Sequence, residues 1–296
     1  MKIDTLLDAF CRKQILKGCT PRTIKWYKNS FRYFANTTKI KNIEDISQYH
    51  LEVFFFEGTT QNKWKDTTYL AYYKAIKSFL KWCTEEGYFE DNPIAKVGKP
   101  SGKNQYVPEY FSEEKVVRIL NALTSLYENN RFLFVRNYAI ISTFVHSGIR
   151  KNELLKLEDS DIQIDNGIIL VRASKWNKDR EIPIPDNLVV ALKRYTIEKN
   201  RRRSYSNKFF ISYVGRELTE SCLRGLFEKL KNTLGFGISS HRFRHTYATI
   251  LVRSGVDLKT VARLLGHSNI KTTLIYTHIA DDHLKQIIRD KLPRFV

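Results

Sequence analysis

A stretch near the C-terminus, residues 239–278, constrains this chain more than any other. It reads SSHRFRHTYATILVRSGVDLKTVARLLGHSNIKTTLIYTH and holds four of the chain's seven histidines, together with four arginines. A solvated basic helix would not need the histidines, and a packed core would not tolerate the charges. The stretch is therefore expected to bring cations and imidazoles together at a site.

Capping residues predict that this stretch begins as a helix. Ser239 and Ser240 are typical N-cap residues, and Gly255 suits the position that follows a helix C-terminus. The sequence between them, HRFRHTYATILVRS, is predicted to form one helix. On such a helix His241 and Arg244, which are three residues apart, share a face.

A glycine then interrupts the helical pattern before a tyrosine. The segment LKTVARLL is predicted to be a helix that stops at Gly266, and Ser268 or Asn269 is expected to cap a third helix that carries Tyr276. On one continuous helix, His267 and Tyr276 would point in nearly opposite directions, because each residue adds about 100°. The interruption lets both side chains face the same point.

The net charge indicates the class of partner. The chain carries 50 Lys and Arg against 31 Asp and Glu, a formal net charge of +19, and 42% of its residues are hydrophobic. A folded core is therefore expected, together with a polyanionic partner. Charge alone leaves nucleic acid, an anionic membrane surface and an acidic protein open.

Cysteine spacing and the length of apolar runs exclude several classes of site and location. The four cysteines lie far apart with no C-x-x-C pair, so neither a zinc site nor a disulfide framework is predicted. The first residues, MKIDTLLDAFCRKQ, mix charges with apolar residues, unlike a signal peptide. Runs such as LEVFFF and YAIISTFV are too short to cross a bilayer. We expect a cytoplasmic protein without a membrane partner.

Two domains are predicted. Apolar residues recur at helical spacing in the first hundred residues, as in TIKWYKNSFRYF. Residues 97–107, VGKPSGKNQYV, carry two glycines and a proline without apolar periodicity, which is typical of a linker. We therefore expect a helical domain over residues 1–97, a linker over 98–108 and a second domain over 109–296.

The second domain is predicted to contain both helices and strands. FSEEKVVRILNAL and RNYAIISTFVHSG have the pattern of helices, whereas DIQIDNGIILVRASKWNKDREIPIP has strand character. A hairpin turn is expected at Asp165-Asn166-Gly167, and a second turn near Lys175–Lys178 leads to the strand EIPI. The predicted fold class is mainly α with a small three-stranded antiparallel sheet.

Transfer of a phosphodiester to tyrosine is the chemistry that suits two imidazoles, an arginine and a tyrosine at one point. Arginine binds phosphate oxygens in a bidentate way and stays charged. Phosphoryl transfer depends mainly on positioning and on stabilising charge on the equatorial oxygens. A tyrosine hydroxyl is a usable nucleophile when a neighbouring group helps to remove its proton. The sequence has no carboxylate cluster or Walker motif, so no metal, nucleotide or other cofactor is expected.

These motifs resemble, in type, order and spacing, those of the tyrosine recombinases of the phage integrase family, and the layout resembles the compact Xer-type enzymes. The family's first arginine box matches SGIRKNELLKL, its H-x-x-R box matches HRFR, and its L-G-H box is followed by the tyrosine. The resemblance assigns catalytic positions to Arg150, Lys175, His241, Arg244, His267 and Tyr276, and a helix-anchoring acid to Glu153. Trp176 stands where the family commonly has glycine, so the hairpin lysine is Lys175 or Lys178.

The resemblance also implies roles and an architecture. Tyr276 would attack a scissile phosphate and form a 3′-phosphotyrosyl link, with the two arginines and His267 stabilising the transition state. Lys175 would protonate the leaving 5′-oxygen, and His241 would assist proton removal from the tyrosine. A helical core-binding domain and a catalytic domain would clamp duplex DNA. Four protomers would exchange strands through a Holliday junction, with accessory proteins as candidate partners.

Each of these residues, taken alone, also has an ordinary structural explanation. Arg150 would then be a surface residue and Tyr276 a core residue, and only the ordered set of six favours catalysis. His245 is interpreted as structural, and Arg242 and Arg263 are interpreted as contacts to backbone phosphates or solvent.

Two other functions compete with recombination. One is nicking and closing of the type IB topoisomerase kind, which needs only a monomer. The other is an accessory DNA-binding role with a decayed site, which the filled set of catalytic positions argues against.

The tail after Tyr276, THIADDHLKQIIRDKLPRFV, bears on the first alternative. It places Leu284, Ile287, Ile288 and Leu292 on one face of a predicted helix. Docking of this face on its own domain or on a neighbouring protomer stays open. Docking on a neighbour, which the resemblance implies, favours a recombinase tetramer.

Overall fold

The chain divides into two compact units, Met1–Gln105 and Tyr106–Val296. The computed structural model describes residues 1–99, 108–172, 179–267 and 269–276. Most of the predicted linker therefore lies outside the described residues, and the domain boundaries drawn from the sequence stay predictions.

The first unit consists of four helices around an aromatic core. Helices α1 to α4 span Ile3–Leu16, Pro21–Thr38, Gln48–Thr60 and Asp66–Glu85. Thr20, which precedes Pro21, caps α2, because its side-chain oxygen accepts a hydrogen bond from the Thr23 amide at 3.2 Å. Phenylalanines from all four helices fill the core: Phe10, Phe31, Phe34, Phe54 and Phe79.

A glycine in α3 permits close packing at one end of this core. A Cβ atom on Gly58 would overlap the ring of Trp64, which follows α3 in the chain. The Trp64 ring in turn stacks on Tyr72 of α4, with ring centroids 4.6 Å apart. The absent side chain therefore lets Trp64 join α3 to α4.

The second unit contains seven helices and a small sheet among its described residues. Helices α5 to α11 span Glu113–Leu126, Arg131–Ser147, Lys151–Lys156, Asp186–Asn200, Glu220–Leu234, Ser240–Arg253 and Leu258–Leu265. Strands β1 to β3 span Ile162–Gln163, Ile168–Val171 and Arg180–Pro183, and they pair antiparallel in that order. The predicted fold class, mainly α with a small antiparallel sheet, is confirmed.

The buried face of the sheet continues the helical core. Ile169 of β2 pairs with Ile162 on one side and with Ile182 on the other, and all three side chains are buried. Helix α6 packs against α8 and α10, and α11 packs against α10 and β3. Helix α11 therefore lies against both α10 and β3.

The third helix predicted after Gly266 does not form as an α-helix in the described residues. Ile270–Thr272 and Leu274–Tyr276 are two 3₁₀ turns, with hydrogen bonds such as Tyr276 N–H to the Thr273 carbonyl at 3.0 Å. The Thr272 hydroxyl donates to the Asn269 carbonyl at 2.7 Å, which competes with a regular helical ladder.

No helix within the described ranges is both long enough and apolar enough to span a bilayer.

Replacing Gly58 by alanine should destabilise the first unit, because the methyl group would overlap Trp64. The matched control is Gly225→Ala in α9, where a Cβ atom meets open space. In a helix interior alanine is favoured over glycine by about 1 kcal/mol, so the control should be neutral or stabilising. Urea unfolding measures both, and equal changes in the free energy of unfolding would contradict the packing role of Gly58.

Candidate active site

The turn between α6 and α7 positions Arg150. Helix α6 ends at Gly148, which has a φ of 57°, and a Cβ atom there would lie 2.5 Å from the Tyr247 ring. Arg150 follows as the N-cap of α7, and its amide donates to Oε2 of Glu153 at 2.9 Å. Its Nη1 donates to Oε1 of the same carboxylate at 2.9 Å. Glu153 therefore holds both the backbone and the side chain of Arg150.

Glu153 also binds a second arginine. Arg180, the first residue of β3, donates from Nη2 to Oε2 at 2.7 Å and from Nη1 to Oε1 at 3.1 Å. Burial alone would raise the pKa of Glu153, but the hydrogen bonds and charges of Arg180 and Arg150 outweigh it and lower the pKa to about 2. The carboxylate is therefore ionised throughout the physiological range.

The C-terminal end of α11 gathers three arginines. The carbonyls of its last two residues and of the C-cap Gly266 each accept a hydrogen bond from a different arginine. Leu264 accepts from Arg180 Nε at 2.9 Å, Leu265 from Arg244 Nη2 at 2.6 Å, and Gly266 from Arg150 Nη2 at 2.9 Å. Carbonyls in the last turn of a helix have no partner within the helix, and the helix dipole makes this end negative. The helix end therefore suits guanidinium groups from α7, β3 and α10.

Arg244 is the most buried of the three. Its side chain also donates from Nη1 to the Gly148 carbonyl at 2.7 Å, and 6% of the residue is exposed. In the part of the chain that the structure describes, no carboxylate forms an ion pair with it. Burial, followed by the charge of Arg150, lowers the pKa of Arg244 to about 9, so it stays protonated at neutral pH. A buried cation of this kind stabilises a bound anion such as phosphate.

The two histidines predicted for the site lie beside these arginines. The Nδ1 atom of His267 is 2.8 Å from the hydroxyl oxygen of Thr273. The residue Thr273 is fully buried. This contact fixes the plane of the ring and leaves Nε2 as the other polar atom. Burial and the charge of Arg244 lower the pKa of His267 to about 4, and burial also lowers that of His241. Burial and the neighbouring cations therefore favour neutral imidazoles.

Tyr276 contacts a histidine that the sequence interpretation treated as structural only. The hydroxyl of Tyr276 lies 2.6 Å from Nδ1 of His245, and Tyr276 is 1% exposed. Burial and the charges of His241 and Arg244 lower the pKa of His245 to about 4. His245 therefore has a direct contact with the predicted nucleophile, whereas sequence analysis assigned the tyrosine proton to His241.

Five of the six predicted catalytic residues thus lie in one region of the second unit. They are Arg150, His241, Arg244, His267 and Tyr276. The sixth, Lys175, and its alternative Lys178 lie outside the described residues. Within those residues, no group of three His, Cys, Asp or Glu side chains could hold a metal ion.

Sequence reasoning missed Arg180 and Thr273. The alternation of side chains along β3 could have indicated that Arg180 lies on the same face of the strand as the buried Ile182. For Thr273 there was no such signal, since its role depends on the 3₁₀ turns.

The interpretation of Arg242 as a contact to phosphate or solvent is not what the structure shows. Its Nη1 donates to the Gly237 carbonyl at 2.6 Å, and its guanidinium lies 4.5 Å from the centre of the Phe111 ring. An ion pair with Glu109 at 3.5 Å adds to these contacts. Arg242 therefore binds the segment before α5.

Comparisons with known proteins agree with this geometry. The model of the phage integrase family matches residues 109–283. The chain is similar to the tyrosine recombinase XerC of Oceanobacillus iheyensis, with 29% identity over 99% of this chain and 96% of the relative. A tyrosine recombinase of Thermosipho africanus is 30% identical over 88% of this chain and 89% of the relative. Among solved structures, the XerH site-specific recombinase bound to palindromic difH substrate, a post-cleavage complex, has a similar fold. Its TM-score is 0.76 at 22% identity, covering 96% of this chain and 83% of the other.

The low pKa values of His245 and His267 predict a pH dependence of stability. Both values fall from 6.5 to about 4 on folding, so acid protonates the unfolded state first. The contribution of these histidines to the free energy of unfolding should therefore be complete above about pH 6.5 and should be lost as the pH falls to about 4. Glu153 adds a further loss only at lower pH, since its pKa is about 2.

Thermal unfolding at several pH values measures this effect. His245→Gln and His267→Gln should each make the decrease shallower. His50→Gln, in the first unit, should leave it unchanged. An identical slope in all four proteins would contradict the assignment.

Proposed function

This chain belongs to the phage integrase family and is a tyrosine-type site-specific DNA recombinase, and we propose that Tyr276 is the nucleophile with which it cleaves DNA. The family membership rests on the match over residues 109–283 and on relatives that span nearly the whole chain. It confirms the resemblance drawn from the sequence motifs. The residue roles that follow are proposals, supported by the geometry of the second unit.

The proposed phosphate site lies between Arg150 and Arg244. Both guanidiniums are fixed by the end of α11, and Glu153 offsets only part of the charge of the three clustered arginines. Arginine donors of fixed orientation stabilise the charge on the non-bridging oxygens of a phosphodiester. The neutral His267, oriented by Thr273, supplies a further donor or acceptor beside them.

The proposed reaction exchanges one phosphate ester for another. The Tyr276 oxygen forms a bond to phosphorus, and the bond from phosphorus to the 5′-oxygen breaks. The phenolic proton passes to a histidine, and the hairpin lysine gives a proton to the 5′-oxygen. A 5′-hydroxyl of the partner strand then reverses these steps, so religation needs no nucleotide cofactor.

His245 and His241 are alternative acceptors of the phenolic proton. The 2.6 Å contact with the Tyr276 hydroxyl favours His245, while the family motif favours His241. Because Tyr276 is 1% exposed, its segment must shift before the oxygen can reach a phosphate.

We propose that such a shift depends on a neighbouring protomer. The apolar face of the tail, which lies outside the described residues, would dock on that neighbour within a tetramer on DNA. A heterologous contact of this kind closes into a ring. It would couple the position of each tyrosine to the adjacent subunit. We also propose that the protein is cytoplasmic and that accessory proteins are candidate partners.

The first unit offers a basic groove for the DNA backbone. Side chains of α2 and α4 line it, among them Arg22, Lys25, Asn29 and Thr68. Within the described residues, no carboxylate forms an ion pair with Arg22 or Lys25. Together with the net charge of +19, this groove supports the proposal that both units bind duplex DNA, as in a clamp.

The convergence of three arginines on the end of α11, beside Tyr276, is the observation that carries the proposal. The target site is first identified by sequencing the DNA that becomes covalently trapped on the protein in cells. A nicked suicide duplex that carries this site then serves as the substrate. Tyr276 should be the residue joined to DNA when the linked peptide is mapped. Tyr276→Phe should abolish the adduct, while Tyr247→Phe, a matched buried tyrosine of α10, should retain it. Attachment at any other residue would contradict the proposal.

The roles of the arginine and the lysine can be separated with a 5′-bridging sulfur substrate. A thiolate leaves without a proton, so this substrate should restore cleavage by Lys175→Ala but not by Arg150→Ala. Loss of an oxyanion-stabilising donor costs about 10² to 10³ in rate. Rescue of Lys178→Ala alone would assign the acid to Lys178, and rescue of Arg150→Ala would contradict the scheme.

A further inference from the structure

We propose that Arg180 is a positioning residue for DNA cleavage, which orients Arg150 through Glu153 and holds the turn that carries His267. This inference rests on the proposed roles of Arg150 and His267 in binding phosphate.

The donors of Arg180 are directed at the protein. Nη1 and Nη2 bind the two oxygens of Glu153, and Nε donates to the Leu264 carbonyl at 2.9 Å. Its side chain is 13% exposed, against 36% for Arg150. With three nitrogens used in this way, Arg180 is suited to hold other groups rather than to bind phosphate itself.

The contact with Glu153 extends to Arg150. Oε1 of Glu153 accepts from Nη1 of Arg180 and from Nη1 of Arg150, at 3.1 and 2.9 Å. Oε2 accepts from Nη2 of Arg180 and from the Arg150 amide, at 2.7 and 2.9 Å. Each carboxylate oxygen thus bridges the two arginines. Without Arg180 the carboxylate would lose the partner that fixes its plane, and Arg150 would lose its orientation.

The contact with α11 extends to His267. A Cβ atom on Gly266 would lie 2.7 Å from Nη1 and 2.9 Å from Cζ of Arg180, so only a glycine leaves room for this guanidinium. Gly266 also has a φ of 65°, which disfavours any other residue. The glycine of the turn therefore serves both the left-handed conformation and the approach of Arg180, directly before His267.

Lysine cannot reproduce these contacts. A guanidinium presents a planar fork that matches both carboxylate oxygens, with Nε free for a third acceptor, whereas an ammonium is a point charge. Arg180→Lys should therefore keep the ionic attraction to Glu153 but lose the fixed geometry.

The experiment measures single-turnover cleavage of the suicide duplex by full-length variants. Arg180→Ala should bind the duplex as the wild type does but cleave it about 100-fold more slowly, because a misplacement of about 1 Å has this effect on rate. Arg180→Lys should cleave about tenfold more slowly than the wild type, because losing a hydrogen bond that orients an active-site residue has about this effect on activity. A wild-type rate in either folded variant would overturn the proposal, and the lysine variant decides it if the alanine variant does not fold.

The pH profile separates positioning from general stability. In Arg180→Ala the burial of Glu153 remains while the partner that most lowers its pKa is lost, so that pKa rises. The other charged groups near Glu153 are Arg150 and Arg244, and His267, which interacts with all three arginines, is neutral in the wild type. The rate of this variant should begin to fall on acidification at a higher pH than that of the wild type, and Glu153→Gln in the same background should remove this difference. Arg180→Lys should keep the wild-type profile.

Arg136→Ala is the matched control for a buried arginine. Arg136 is 7% exposed and donates to Asn137 and to the Ile211 carbonyl, so its loss should lower the melting temperature. The cleavage rate per folded molecule and the pH profile should stay as in the wild type. An Arg180→Ala variant that behaves in the same way would overturn the positioning role. Failure of the wild type to join DNA at Tyr276 would instead refute the proposed function.

Discussion

The carbonyl end of α11 is the feature on which the rest of the site depends. Three successive carbonyls there accept hydrogen bonds from Arg180, Arg244 and Arg150, which come from three separate parts of the chain. A helix C-terminus carries partial negative charge and unpaired acceptors, so it can hold cations that would otherwise repel one another. Gly266 ends the helix in the left-handed conformation, with a φ of 65°, and a side chain there would also meet Arg180.

The electrostatic balance of this region explains why it suits a phosphodiester. Glu153 is the carboxylate shared by Arg150 and Arg180, and it offsets part of their charge. Arg244 remains buried among carbonyls, and burial together with the neighbouring cations keeps His245 and His267 neutral at physiological pH. An anionic phosphate would relieve the repulsion among these groups, and the charge that develops in phosphoryl transfer would do so further.

Much of this arrangement could be predicted from the sequence, because capping residues and glycines act locally. Helices α2, α5 and α10 begin after the N-cap hydroxyls of Thr20, Ser112 and Ser239. Gly255 lies just beyond the end of α10, and Gly266 is the C-cap of α11. The Asp165-Asn166-Gly167 turn and the antiparallel order of the strands were also predicted correctly.

What the sequence could not give depends on contacts between distant residues. The bond between His245 and Tyr276 joins positions that are 31 residues apart, and that between Arg180 and Leu264 joins positions 84 apart. The α-helix predicted after Gly266 does not form over residues 269–276, where the Thr272 hydroxyl bonds within a 3₁₀ turn and the Thr273 hydroxyl contacts His267. The hairpin lysine and the terminal helix lie outside the described residues and stay predictions.

A double-mutant cycle tests whether Arg180 and Arg150 act as one unit through Glu153. The measurement is the single-turnover cleavage rate of Arg150→Ala, Arg180→Ala and the double variant, each at saturating duplex. Residues that act through a shared partner are strongly non-additive. Arg180→Ala should have little further effect on the rate once Arg150 is alanine. Two independent losses that multiply in the double variant would contradict it.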